Sequence, residues 1–394
     1  MTAKYAKIAQ RLKTVTQYGF GQTIVVAAQL LLSLIVIKKH NAALWGEYVE
    51  LLLWVNIPAI IVYFGNKNYL LKAFSDRPAA VYQTWFTNLL SRGLLLIASI
   101  LIVIWIPLFQ EQLVIIIVWV LLLYYNQSFE SLIIHDRDFK LSIYTELSRN
   151  TLLILSVLAC TSILDLRLLI LLVLGAALIK AVVYSFYYFR KFSGVDFIID
   201  YSLLLVLLPF FIPMFLGTIR SKTDAYYGTL FFSKEDLSHY QIFISLMMLV
   251  QLGASYVINP FLKNFYRVKQ QIASKIEKQF TLLGLLVGAA FIPILYVLAQ
   301  YVYGFDYSIL AYAFAFLFVI TVFIHLLLIS EFYKYNKQMS VAGMTAVVAF
   351  IQIIVGYYLI RDYHIEGALG TKVLGQWLII ILLLVFRKKH LSHT

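Results

Sequence analysis

Lys180 stands near the middle of the apolar stretch 168–189, which contains no acid. If that stretch crosses a bilayer, the charge costs a few kcal/mol and marks an interior cavity rather than a lipid-facing surface. Arg92, Arg149 and Lys372 are three more bases inside apolar stretches. Glu50, Glu130 and Glu146 are the acids in comparable positions, with Glu47 and Glu366 nearer the edges. Four bases against three acids leave such an interior slightly positive. Cations away from water bind phosphate oxygens through charge-assisted hydrogen bonds, so Lys180, Arg92, Lys372 and Arg149 are candidate ligands for an anionic substrate.

Structural uses compete with that reading. Glu146 and Arg149 are three apart on one helix and can pair. Arg92 can pair with Glu130 and tie two helices. Both readings stay open for these two bases. Lys372 can snorkel towards the outer surface more easily than Lys180, which is farther from either face.

A second cluster, Arg220, Lys222 and Asp224, falls just past the stretch 201–219. Arg220 and Asp224 are four apart and can form an interfacial pair, or an outer gate. Glu130 and Glu50 are further candidates for gating or for carrying a coupling cation. Pro209 and Pro213 each remove a helix hydrogen bond and favour a bend before this cluster. Polar side chains line up on three helix faces: Gln22, Gln29 and Ser33; Gln251, Ser255 and Asn259; and Lys372 with Gln376. Such amides can hold sugar hydroxyls or simply bond between helices.

The elements that carry these residues are membrane spans. The chain is 62% hydrophobic and 13% charged, where a soluble domain carries roughly 25% charged residues. About 20 apolar residues cross a hydrocarbon core as helix, and twelve stretches qualify: 16–37, 44–65, 86–106, 113–134, 143–164, 168–189, 201–219, 237–259, 279–301, 307–329, 341–360 and 366–386. Runs such as Leu168–Leu174 do not alternate as barrel strands do. The expected fold is all-α and polytopic, with two six-helix bundles at 1–195 and 196–394.

The net charge of +13 does not point to nucleic acid, because it is sided. With the N-terminus placed in the cytoplasm, 21 of the 32 Lys and Arg fall inside, seven outside and four within spans. That is the positive-inside pattern; it puts both termini in the cytoplasm and the excess charge against anionic lipid heads. Lys4, Lys7, Arg11 and Lys13 precede the first span, but Lys38 and Lys39 follow it without a small-residue cleavage site, so it reads as an uncleaved helix. Cys160 is the only cysteine and excludes an intramolecular disulfide. The longest connections between spans are expected at Asn66–Trp85, Pro260–Lys278 and Arg220–Asp236, and none is long enough for a catalytic domain.

The halves show a faint parallel repeat. Asn41–Tyr48 opens the second span, and Ser233–Tyr240 opens the eighth at the same phase. Transporters often place their substrate path at such a repeat interface. With Gly19-Phe-Gly21-Gln22, Leu44-Trp-Gly46-Glu-Tyr48, Pro209, Pro213, Arg220-Ser-Lys-Thr-Asp224, Leu230-Phe-Phe-Ser233 and Tyr240, the whole chain resembles the Wzx-type polysaccharide repeat-unit flippases. These belong to the multidrug/oligosaccharidyl-lipid/polysaccharide exporter superfamily. One departure is Ser238, where the family's second motif carries glycine.

The resemblance implies a carrier in the bacterial cytoplasmic (inner) membrane. It would move an undecaprenyl-pyrophosphate-linked oligosaccharide from the inner to the outer leaflet, for surface polysaccharide such as O-antigen, lipopolysaccharide or capsule. It also implies Asp224 as part of an outer gate, no cofactor, and membrane lipids as surroundings. A polysaccharide polymerase and a chain-length protein are the partners to expect.

Enzyme signals are weak. Asp136-Arg-Asp138 has the form of a sugar-nucleotide metal motif but sits in a short loop, where a solvated turn is the simpler reading. His325 is the one histidine well inside a span and suits helix packing. Gly284 and Gly288 suit a close contact between two helices of the bundle. The rivals to a flippase are a membrane polymerase or glycosyltransferase, a multidrug cation exporter of the same superfamily, and a scaffold.

Overall fold

Lipid offers the backbone no hydrogen bonds, so apolar segments of this length must close their own. The computed structural model, which describes residues 19, 23–160, 162–258, 270–335 and 337–390, does this with helices; no strand occurs among them. Among the described residues, nine helical segments are long and apolar enough to cross a membrane. Large apolar side chains such as Phe186, Leu205 and Ile309 point outwards and are exposed, as in a surface that faces lipid. The protein is an all-helical, multi-pass membrane protein.

Two compact units divide the chain, Met1–Phe215 and Leu216–Thr394. The first contains α1 (23–39), α2 (Ala42–Tyr63), α3 (Asn66–Asp76), α4 (Val81–Ser91), α5 (Gly93–Trp105), α6 (Leu113–Ser128), α7 (Glu130–Asp136), α8 (Phe139–Ala159), α9 (Leu166–Tyr188) and the start of α10 (Ser202–Phe231). Asn41 and Asp165 cap α2 and α9, their carboxyl or amide oxygens accepting from Leu44 N and Leu168 N at 2.7 Å each. The chain turns from α2 to α3 through Phe64 (φ 44°) and Gly65 (φ 70°). Gly65 has no room for a side chain: a Cβ there would lie 2.8 Å from the Phe210 carbonyl carbon. The core of this unit is aromatic. Trp85 stacks on Phe192 at 4.8 Å and meets the tilted Phe129 ring at 4.9 Å, and its indole N–H donates to Ser128 O at 2.6 Å.

The second unit holds the rest of α10, α11 (Lys234–Ile258), α12 (Gln270–Val297), α13 (Ile309–Lys334) and α14 (Gln338–His390). His364, at φ 46° and ψ −123°, breaks α14 into two arms, 338–363 and 365–390. Gln352 on one arm donates to Thr371 O on the other at 3.1 Å. Leu328, Phe332, Val348, Ile380 and Leu383 form the core between α13 and α14. Gly284 and Gly288 let α12 press on α13: added Cβ atoms would meet Phe323 at 3.2 Å and Phe316 at 3.0 Å.

Two expected loops are helical. Asn66–Trp85 contains α3 and the start of α4, and α10 runs on to Phe231 without interruption at Pro209 or Pro213. Arg220, Lys222 and Asp224 therefore lie inside a helix rather than in an outer loop. The apolar residues that follow them, up to Phe232, let the helix continue.

Candidate functional site

Helix spacing builds one polar cluster in the first unit. On α8, Ser142, Glu146, Arg149, Asn150 and Leu153 recur at three- and four-residue intervals and share a face. Lys180 and Tyr184 share a face of α9 for the same reason. Lys180 Nζ lies 2.5 Å from Glu146 Oε1, and Arg149 Nη2 lies 2.9 Å from Glu146 Oε2. Arg149 Nη2 also donates to Asn150 Oδ1 at 3.0 Å, and Lys180 lies over the Tyr184 ring, 5.6 Å from its centre. Two cations thus share one buried carboxylate. A carboxylate alone in this place would be prohibitively costly, so the first cation is needed for burial and the second leaves the cluster with one excess positive charge.

Two cavities adjoin the cluster. One, of about 270 Å³, runs past Glu130, Phe139 and Ser142. The other, of about 340 Å³, runs past Gln29, Trp45, Tyr48 and Trp119. Arg149 and Lys180 line both, together with Asn126 and Gln127 of α6.

Arg92 lines neither of these cavities. It is 1% exposed at the junction of α4 and α5. Its Nε donates to Asn88 Oδ1 at 2.9 Å, Nη1 to Val62 O at 2.6 Å and Nη2 to Ser128 Oγ at 2.7 Å. The expected pair with Glu130 is absent, because Lys67 takes Glu130 at 2.6 Å. Neutral acceptors satisfy the guanidinium instead.

In the second unit, Lys372 Nζ lies 2.9 Å from the buried Asp224 Oδ2 and donates to Ser221 O at 3.1 Å. Tyr240 also donates to Asp224. The partner of Asp224 is thus Lys372, not Arg220. Arg220 instead reaches Gln376 Oε1 at 3.4 Å, so the Lys372–Gln376 stripe of α14 meets the Arg220–Asp224 stripe of α10. Lys222 is half-buried on the same stretch, Gln251 half-buried on α11, and Glu50 half-buried on α2. Gln22 and Asn259 lie outside the described residues.

No family model and no curated protein sequence matches the chain. Solved structures do match. The lipid II flippase MurJ in an inward closed conformation aligns with a TM-score of 0.74 at 10% identity, over 94% of this chain and 87% of that one. An inward-facing multidrug resistance MATE transporter of the MOP superfamily gives 0.65 at 12%, over 96% and 95%. The eukaryotic MATE transporter AtDTX14 gives 0.63 at 12%, over 97% and 96%. The chain shares the fold of these structures. Identities this low speak for the fold alone, and these neighbours are transporters and a flippase rather than enzymes.

Within that fold the Asp136–Asp138 motif ties helices together. Asp136 accepts from Tyr82 at 3.0 Å and pairs with Lys191 at 2.8 Å; Asp138 accepts from Tyr188 at 3.2 Å. No group of residues that could hold a metal ion occurs among the described residues.

Several polar residues of the second cavity were missed in the sequence: Asn126, Gln127, Asn150 and the Trp45 indole. Adjacent amides in the apolar run 113–134 were a readable signal. Asn150 was hidden beside the more conspicuous Arg149.

Proposed function

We propose that this chain carries an undecaprenyl-pyrophosphate-linked oligosaccharide from the inner to the outer leaflet of a bacterial cytoplasmic membrane. The supporting observation is the sharing of Glu146 by Lys180 and Arg149 on the walls of two cavities. A pyrophosphate entering there shares the two cations with Glu146 and draws on the one positive charge that the carboxylate does not balance. The excess positive charge offsets part of the cost of bringing the anion out of water. An inside-negative membrane potential favours its outward step by about 2.3 kcal/mol per charge per 100 mV.

The chain crosses the membrane twelve times in this reading, with both termini in the cytoplasm. The oligosaccharide is delivered to a polymerase and a chain-length protein on the outer side. Asp224, shared by Lys372 and Tyr240, is the acid best suited to gating or to exchange with a coupling cation; Glu130 and Glu50 are the others. The likeness in fold to MurJ, a lipid II flippase, supports a lipid-linked substrate.

The MATE neighbours support a second reading, export of cationic drugs. It needs net negative charge at the cavity wall, whereas Lys180 and Arg149 outnumber Glu146 there. The two readings separate in cells that lack the chain, with a non-permeant label for outer-leaflet lipid-linked oligosaccharide. The proposal expects complete repeat units trapped on the cytoplasmic leaflet. Their arrival, unpolymerised, on the outer leaflet favours a polymerase, and no accumulation at all favours drug export.

A further inference from the structure

The 340 Å³ cavity changes character along its length. Arg149 and Lys180 line it where it adjoins the 270 Å³ cavity, and each keeps 22% of its side chain accessible. Beyond them the partly accessible side chains are aliphatic: Ala28, Leu52, Leu123, Ile154 and Val173. Gln29 and Gln127 are the other polar side chains of its wall that are not buried. At 1.5 Å per residue, Leu123 lies about 6 Å from Gln127 along α6, Ile154 about 7.5 Å from Arg149 along α8, and Val173 about 10 Å from Lys180 along α9. Successive helices alternate in direction, so all three steps lead the same way, from the cations into an aliphatic chamber.

This division restricts the occupant. Water suits the two cations, but a buried water needs two to four polar partners, which the aliphatic part does not offer. Plain hydrocarbon restores the dispersion contacts that an empty chamber forfeits, yet it leaves an ammonium and a guanidinium against apolar groups. A molecule that joins an anion to a hydrocarbon chain meets both parts at once. Direction agrees. In the orientation proposed above, the aliphatic part lies on the outer side of the cations. A lipid of the inner leaflet points its chain the same way, from its head towards the outer leaflet. Ligand pockets begin at about 300 Å³, so the chamber takes a short piece of chain and leaves the rest outside.

We infer that this cavity of the first unit is a binding site for the hydrocarbon next to the pyrophosphate of a lipid carrier. The pyrophosphate lies at Lys180 and Arg149, and the first part of the chain lies among Leu52, Leu123, Ile154 and Val173. The inference deepens the proposed function and rests on it for the identity of the lipid.

The test is photolabelling of the purified full-length chain in lipid nanodiscs. The probe is geranyl pyrophosphate with a diazirine at the far end of its chain, and labelled residues are located by mass spectrometry of peptides. Label is expected on Leu123, Ile154 or Val173. Excess inorganic pyrophosphate should compete it away, and Lys180→Ala should reduce it at least tenfold. Ala28→Phe and Val173→Phe fill the chamber. Each should reduce the label on Leu123 at least tenfold and leave the half-saturating concentration of inorganic pyrophosphate unchanged. Val347→Phe, at an exposed position in the second unit, should alter neither.

Label confined to outward-facing residues, such as Leu171, Leu178 and Val182 of α9, would overturn the inference. So would label in the chamber that survives both filling variants. The map on the unaltered chain decides the matter even where a filled variant does not fold. Inorganic pyrophosphate binding that is lost in Lys180→Ala, without label in the chamber, would keep the flippase reading and overturn the hydrocarbon site. Label in the chamber of a protein whose loss leaves lipid-linked oligosaccharide undisturbed would do the reverse.

Discussion

Lys180 of α9 donates to Glu146 of α8 at 2.5 Å, 34 positions away in sequence, while Arg149 holds the other oxygen of the same carboxylate. Glu146→Gln leaves two cations without a counter-charge, whereas Lys180→Met leaves Glu146 still paired with Arg149. The first substitution is therefore expected to lower stability by about 3–5 kcal/mol, and the second by clearly less. Unfolding temperatures of the two purified variants give the order, and equal losses would show that the carboxylate is not shared.

Arg92 gives the opposite expectation. It is sealed among Asn88, Val62 and Ser128, so it ties α4 to α2 and α6 rather than holding substrate. Arg92→Lys cannot reach three separate acceptors and leaves buried ones unpaired, at a cost of about 1–3 kcal/mol. Less protein should accumulate, with transport per folded molecule unchanged. Transport that falls at normal protein level and unchanged unfolding temperature would assign Arg92 to the substrate.

Lys372 and Asp224 should act as a unit. Each single replacement, Asp224→Asn or Lys372→Met, leaves a buried partner uncompensated, and the double variant leaves none. A double-mutant cycle of unfolding free energies should show coupling of about 0.5–3 kcal/mol, and additive single effects would separate the two residues.

Gly65 tests the fold without touching the site. Its φ of 70° disfavours any other residue, and a Cβ there meets the Phe210 backbone. Gly65→Ala should cost at least about 1–3 kcal/mol, seen as a lower unfolding temperature. An unaltered unfolding temperature would mean that α10 does not press on this turn.

The sequence conveyed the class of fold through length and hydropathy, because a membrane span is a local property of about 20 residues. It misplaced the end of α10, because Arg220, Lys222 and Asp224 resemble a loop when read without the apolar residues beyond them. Which charges pair was less legible. Lys180 has no acid in its own stretch, yet Glu146 lies beside it in space; Arg92 has an acid within reach in sequence terms, yet bonds to neutral oxygens. Such pairings depend on helix rotation and contact, which residue spacing leaves open. The amides of the second cavity were hidden for another reason: a lone Asn or Gln in a span looks the same whether it joins helices or faces a cavity.

The central claim is that the cation pair at Glu146 carries an anionic headgroup across the membrane. The most direct measurement is the leaflet position of lipid-linked oligosaccharide in cells whose only copy is Lys180→Ala, with protein at normal level. The account predicts complete repeat units retained on the cytoplasmic leaflet, and recovery of transport with Lys180→Arg. Repeat units that reach the outer leaflet at the normal rate in Lys180→Ala cells would contradict it.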